Sequence, residues 1–230
     1  MAHRLLPIVL LSTAAAVTAC GGGGESARPV HGTAPAEVAG VGYTSDQLAQ
    51  ALLTELPGYR KAGEPDSGSY GTLKAIQNAA RLQRQAVLDK PRCGTGQPGG
   101  TVPADVPAAL VTFAKQGQSV TQTLMGMSAA DAEKQVNARV PAGCLSFRTK
   151  VGSQWSQHRV TEGPRGDIGE GSRAVGVVTT TGDTRTRTWY VVFRGRQYLT
   201  TVTVFGPQAT RTEAEALARR SLTQTTRILP

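Results

Sequence analysis

Any acid–base chemistry in the folded part of this chain would have to start from His158. The sequence holds three histidines, of which His3 lies in an apolar leader and His31 in a polar segment that cannot build a core. Ser153, Ser156 and Asp167 are near His158 and supply the residue types of a Ser-His-Asp hydrolase. No Gly-x-Ser-x-Gly elbow is present, however, and these neighbours fall on a run that reads as a strand, not a strained turn. His158 therefore reads as a sheet-surface histidine, and no residue is assigned as catalytic. Asp167 and Glu170 offer a second chemistry, since a glycosidase needs only two carboxyls across a cleft. Both sit in the glycine-rich run from Gly163 to Gly171, which reads as a solvated loop. Gly166, Gly169 and Gly171 do not match a phosphate or dinucleotide loop, and Arg165-Gly166-Asp167 is a chance tripeptide.

A metal site is not expected. One histidine and two cysteines cannot close a zinc site, and the acidic residues never reach calcium-loop spacing. No cofactor is implied either. Of three cysteines, Cys20 is claimed by an N-terminal signal described below, leaving Cys93 and Cys144 as an even pair. In an oxidising compartment the economical reading is one disulfide, closing a loop of 51 residues. Chain entropy values such a closure at about 4 kcal/mol.

Binding is better supplied than catalysis. The chain has 25 basic and 16 acidic residues, a net charge of +9, so its surface attracts anions such as lipid headgroups or acidic wall polymers. Nucleic acid is a poor partner, because no basic run is interleaved with aromatics. Only 11 residues are aromatic and six of them lie between Trp155 and Phe205. Trp189 reads as core, whereas Trp155, flanked by Gln154, Ser156 and Gln157, reads as the wall of a cleft. Trp155, His158, Arg159 and Arg165 are the candidate ligand-binding residues.

The elements that must position them begin after residue 42. Arg4, the apolar run Leu5 to Val17, and Val17-Thr18-Ala19-Cys20 form a lipoprotein signal, too short to span a bilayer. The expected organisation is a signal at 1–19, a flexible membrane tether at 20–42 acylated at Cys20, and a folded domain at 43–230. The expected address is the extracytoplasmic face of the cell membrane. Arg4 is the only charge ahead of Cys20, so the mature chain carries +8.

Thr44 and Gln47 have capping-box spacing ahead of Leu48, Leu52, Leu53 and Leu56, a helix stopped by Pro57-Gly58. A second amphipathic helix reads from Thr72 to Leu88, and Gly94 to Pro107 reads as a loop. Ala109 to Lys115 and Gln118 to Met127 read as strands, and Ser128 opens a helix that delivers Cys144 directly after its end. Strands follow at Cys144–Thr149, Gln154–Thr161, Arg173–Thr181, Thr188–Arg194 and Gln197–Phe205. A type II′ turn at Gly195-Arg196 would set Phe193 opposite Tyr198, Val191 opposite Thr200 and Trp189 opposite Val202. Thr210 and Glu213 then cap a last helix that uses Ala214, Leu217, Ala218 and Leu222. The fold class is α+β, a single domain with an antiparallel sheet of about five to six strands and flanking helices.

This order of parts resembles a family. The lipobox cysteine, the spacer, Thr44-Ser45-Asp46-Gln47-Leu48, the two cysteines with Ala129-Ala130-Asp131-Ala132 before the second, Gly166-Asp167 and Arg194-Gly195 are similar to the PknH-like extracellular sensor domain of actinobacteria. The resemblance implies a central antiparallel sheet, flanking helices and an exposed cleft suspected of binding a ligand that the family does not name. Cys93 and Cys144 match a family disulfide by position, and the second cysteine pair of some members is absent. The chain carries no kinase domain, so signalling through an attached kinase is not expected. The function implied is a lipid-anchored, non-catalytic binding module for an anionic or amphiphilic envelope component. The alternatives are an accessory lipoprotein acting through a protein partner, and an envelope hydrolase using Asp167 and Glu170.

Overall fold

The computed structural model of the chain describes residues 42–94 and 102–229. The signal, Cys20 and the tether up to residue 41 lie outside the described residues, as does 95–101 of the loop read after Cys93. In chain order the elements are α1 (Ser45–Gln50), β1 (Arg60–Lys61), β2 (Asp66–Ser69), α2 (Lys74–Gln85) and β3 (Val87–Leu88). There follow β4 (Pro107–Lys115), β5 (Gln118–Gly126), α3 (Ala129–Asn137), β6 (Ser146–Val151), β7 (Gln154–Gly166), β8 (Ser172–Thr181), β9 (Thr184–Arg194), β10 (Tyr198–Gly206) and α4 (Arg211–Ile228). The class is α+β as read, but the sheet has ten strands in place of five to six. Three of the extra strands, β1, β2 and β3, are two to four residues long, too short to show an alternating pattern.

The strand order is β1-β4-β5-β10-β9-β8-β7-β6-β3, with β2 also on β4, and every pairing is antiparallel. The chain leaves the centre after β5, crosses to the far side through α3, and meanders back from β6 to β10. Alternate residues of each strand face opposite ways. One set, including Phe113, Val120, Leu124, Val191, Phe193 and Val202, packs with α1 and α4. The other set, including Leu110, Met125, Val192 and Leu199, packs with Ala132 and Val136 of α3.

Local differences from the sequence reading have physical causes. Thr44 caps α1 reciprocally with Gln47, but α1 ends at Gln50 although Leu52, Leu53 and Leu56 are buried beyond it. The Leu53 N–H donates to Gln122 Oε1 at 2.7 Å, which pulls the chain out of the helix. The second helix stops at Gln85, because Val87 and Leu88 pair with Lys150 and Thr149 as β3. Helix α3 ends at Asn137, seven residues short of Cys144. The final hairpin is two residues off the expected register: Thr200 faces Phe193, Val202 faces Val191 and Val204 faces Trp189. Gly195 does not take the positive φ that a type II′ turn needs. Instead its N–H donates to the Tyr198 carbonyl across a wider turn. A shift of two conserves the faces, so the apolar side expected from the sequence is the side that packs in the core.

Gln122 ties this half of the molecule together. Fully buried, it donates from Nε2 to Ser221 Oγ of α4 at 2.7 Å while accepting from Leu53 N–H. Gln122→Leu removes both hydrogen bonds and leaves the Leu53 N–H and the Ser221 hydroxyl unmatched, each worth about 1–3 kcal/mol. The expected outcome is a lower denaturant midpoint with an unchanged slope, about 2–4 kcal/mol in total. A variant within about 0.5 kcal/mol of the parent would contradict it.

Candidate functional site

Strands β6 and β7, with the distal halves of β8 and β9, extend past the helices. Helix α4 packs on β10, β9 and β8, and α3 on β9, β10 and β8. Residues of β6 and β7 are accordingly half-buried or exposed, Gly163 excepted. Strands without a core must be polar on both sides, and these carry Thr, Gln, Arg and Lys in alternation.

The pairing places side chains in rows on the α4 face. Val87 pairs with Lys150 and Lys150 with Trp155. Arg148 pairs with Gln157, Gln157 with Thr180 and Thr180 with Arg185. Arg159 pairs with Val178 and Val178 with Arg187. Neighbours within a row are about 5 Å apart and successive rows about 7 Å apart. Five cations thus share a surface roughly 15 Å on a side. Arg148 is 5.0 Å and Lys150 5.8 Å from the Trp155 ring centroid, and Trp155 is 42% exposed. Arg148 also pairs with Asp89 at 3.2 Å. The Arg148 backbone N–H chiefly holds that carboxyl below its usual range, helped by the guanidinium. Arg159, Arg185 and Arg187 have no ion pair among the described residues.

Toward the core the same face closes into a groove of about 240 Å³, lined by Thr161, Gly176, Val178, Arg187, Trp189 and Arg211. The Trp189 ring lies flat on Gly176, where a Cβ would come within 2.8 Å of it. Gly176 is what admits the ring, so Trp189 is half-buried against the core, as read from the sequence. A second groove of about 450 Å³ opens at the other end of α4, between Arg194, Tyr198, Leu222 and Leu229. Trp155 lines neither groove.

The four candidate ligand residues do not form one site. Trp155 and Arg159 share the α4 face, but His158 points to the opposite face, stacked on Phe147 at 4.8 Å. Its two ring nitrogens are hydrogen-bonded with the Thr149 and Thr179 hydroxyls at 2.7 and 3.0 Å. Arg165 lies past a register shift at the far end of β7, bonded to Asn137 at the end of α3. Ser156 bonds Thr181, so the serine nearest His158 is not aimed at it. Asp167 pairs with Arg219 and Glu170 with Arg194. The Arg219 hydrogen bond lowers the Asp167 pKa, the reverse of what a general acid needs. Cys93 and Cys144 form the expected disulfide. Among the described residues no three His, Cys, Asp or Glu gather as a metal site, and no helix is long and apolar enough to cross a membrane.

Sequence reasoning missed Arg148, Lys150, Arg185 and Arg187. Their signal was the two-residue period of Arg148-x-Lys150 and Arg185-x-Arg187-x-Trp189, which means one face only once the strands are known to be neighbours.

An antiparallel sheet with helices on both faces of its inner half and, among the described residues, an exposed outer half defines the class, an α+β domain. No family model matches the chain, and no curated protein matches it by sequence. Among solved structures, the crystal structure of the extracellular domain of PknH from Mycobacterium tuberculosis covers 81% of this chain and 98% of its own. The TM-score is 0.55 at 9% sequence identity. An X-ray structure of an uncharacterised Rv0999 ortholog from Mycobacterium smegmatis covers 78% of this chain and 95% of its own, with a TM-score of 0.45 and 14% identity. The chain has the fold of the PknH extracellular domain.

Burial pushes the His158 pKa below its ordinary value, partly offset by the charge of Asp89. Above about pH 6.5 the ring is neutral folded and unfolded and adds no pH dependence. As the pH falls below that, the unfolded chain binds a proton first, so stability drops. Between about pH 7.5 and about pH 5, His158→Gln is expected to lose less melting temperature than the parent. Equal losses would contradict this placement.

Proposed function

We propose that this chain is a lipid-anchored, extracytoplasmic, sensor-like binding module without catalysis of its own, which takes an anionic or amphiphilic envelope component on the outer half of its sheet. The observation that carries the reading is the cluster of Arg159, Arg185 and Arg187, cations without carboxylate partners among the described residues, on the face that also carries Trp155. Cations held together without counter-charges cost electrostatic repulsion, which an anionic ligand relieves. The leader ending in Cys20, the Cys93–Cys144 disulfide and the fold shared with an extracellular domain support an address outside the cytoplasm. Lipidation at Cys20 would hold the module at the membrane.

A second reading, an accessory lipoprotein acting through a protein partner, is favoured by the exposure of Val87 and Val151 on the same outer strands and of Leu145 just ahead of β6. A hydrolase using Asp167 and Glu170 has less support, since each is already held by its own arginine.

The test is a thermal-shift screen of the chain from residue 20 with Cys20→Ser, against envelope lipids, wall fragments and small metabolites at two salt concentrations. A ligand at a hundredfold excess over its dissociation constant adds about 2.7 kcal/mol. An anionic hit that weakens with salt and is lost in Arg159→Glu/Arg187→Glu is expected. Silence across the panel, or a hit untouched by that variant and by Trp155→Ala, would overturn the reading.

A further inference from the structure

The two hairpins of the outer sheet end on the same side, at Gly152-Ser153 between β6 and β7 and at Gly182-Asp183 between β8 and β9. Chemistry changes with distance from that end. Val151, 51% exposed, stands beside the β6–β7 turn on the opposite face, and the first row on the α4 face joins Val87, 63% exposed, to Lys150 and Trp155. The second row carries Arg148 and Arg185, and the third Arg159 and Arg187. Apolar and aromatic groups, with Lys150 between them, therefore lead, and the arginines follow at about 7 and about 14 Å. Among the described residues the carboxylates near these rows are Asp89, already paired with Arg148, and Asp183 at the β8–β9 turn.

We propose that this end of the sheet docks on the phosphate-bearing surface of an anionic bilayer. Trp155, Val87 and Val151 enter the headgroup boundary, while Lys150, Arg148, Arg185, Arg159 and Arg187 meet lipid phosphates. The inference rests on the reading that this face takes an anionic partner, and it names that partner. The order of the rows selects a bilayer over a soluble polyanion, which would engage the cations and leave Val87 and Val151 in water. A bilayer presents an apolar layer beneath its phosphates, in the sequence in which the rows meet it. The Trp155 ring already carries Arg148 and Lys150, a pairing that suits an interfacial tryptophan better than a platform for a sugar.

Geometry permits docking and anchoring on one membrane. Gly42 packs against Gly126 and Met127, at the opposite end of the strands from the two hairpin turns. Strand β9, of 11 residues, spans about 37 Å. The 22 residues from 20 to 41 reach at most about 75 Å. An anchor at Cys20 therefore leaves the hairpin ends free to meet the same surface.

The experiment uses the chain from residue 20 with Cys20→Ser, so that no acyl group contributes. Co-sedimentation is measured with phosphatidylglycerol/phosphatidylcholine vesicles, with pure phosphatidylcholine vesicles and, as a soluble polyanion, with inorganic polyphosphate. Binding to the phosphatidylglycerol vesicles alone is expected, weakened roughly fivefold for each of Arg159→Gln and Arg187→Gln. In Trp189→Phe, which leaves Trp155 as the sole tryptophan, emission should shift to the blue on those vesicles. Binding to polyphosphate without the vesicles would overturn the docking and leave the anion-binding reading intact. Binding to none of the three would overturn both. Vesicle binding with no shift of Trp155 emission, and unchanged in Trp155→Ser/Val87→Ser, would place the contact elsewhere and overturn the docking.

Discussion

The four α-helices of the described residues cannot cover both faces of a ten-stranded sheet, and where they stop decides what the rest of the molecule must be. Coverage is spent on the inner strands: α1 and α4 on one face, α3 on the other, with Gln122 binding the segment after α1 and the middle of α4 to β5. Beyond β8 the described residues supply no partner layer. The outer strands hold together through their own pairings, the Cys93–Cys144 link and small contacts. His158 is set between two threonines on Phe147, and Trp155 lies beneath two cations. A strand region of this kind cannot be apolar on both sides without becoming an edge that aggregates. Its alternating Arg and Thr residues meet that constraint and at the same time create the basic face.

Much of the inner fold was legible in the sequence because its signals are local. Thr44 with Gln47, Ser128 with Asp131, and Thr210 with Glu213 mark helix starts where the helices begin. In the last case Glu213 uses its side chain for Tyr59 and Gln118, so the box is not reciprocal. Strands β4, β5, β8 and β10 were found within two residues of their ends, since β-branched and aromatic runs bounded by glycines are hard to read otherwise. What was not legible depends on distant partners. Leu53 leaves the helix for a glutamine 69 residues away. Val87 looked helical until β6 was available to pair with it. The last hairpin kept its faces but not its register, because Tyr198 prefers a wider turn closed on Gly195.

The site was legible only in part, for the same reason. Trp155 and Arg159 were picked out as single residues with the correct spacing to share a face, while His158 and Arg165 were drawn in by proximity in sequence. Adjacent residues on a strand point apart, so nearness to Trp155 argued against His158 once β7 was established as a strand. Arg185 and Arg187 lie on a different hairpin, and only the β7-β8-β9 order brings them beside Arg159.

The central claim is that the bare outer sheet, and not a groove beside α4, is where this protein meets an anionic partner. Hydrogen exchange of the chain with and without phosphatidylglycerol vesicles tests it most directly, because β6 to β9 report peptide by peptide. Added protection confined to residues 146–161 and 178–188, with α4 and β4–β5 unchanged, is the predicted result. Protection centred on residues 194–198 and 222–229, or spread evenly over the chain, would contradict it.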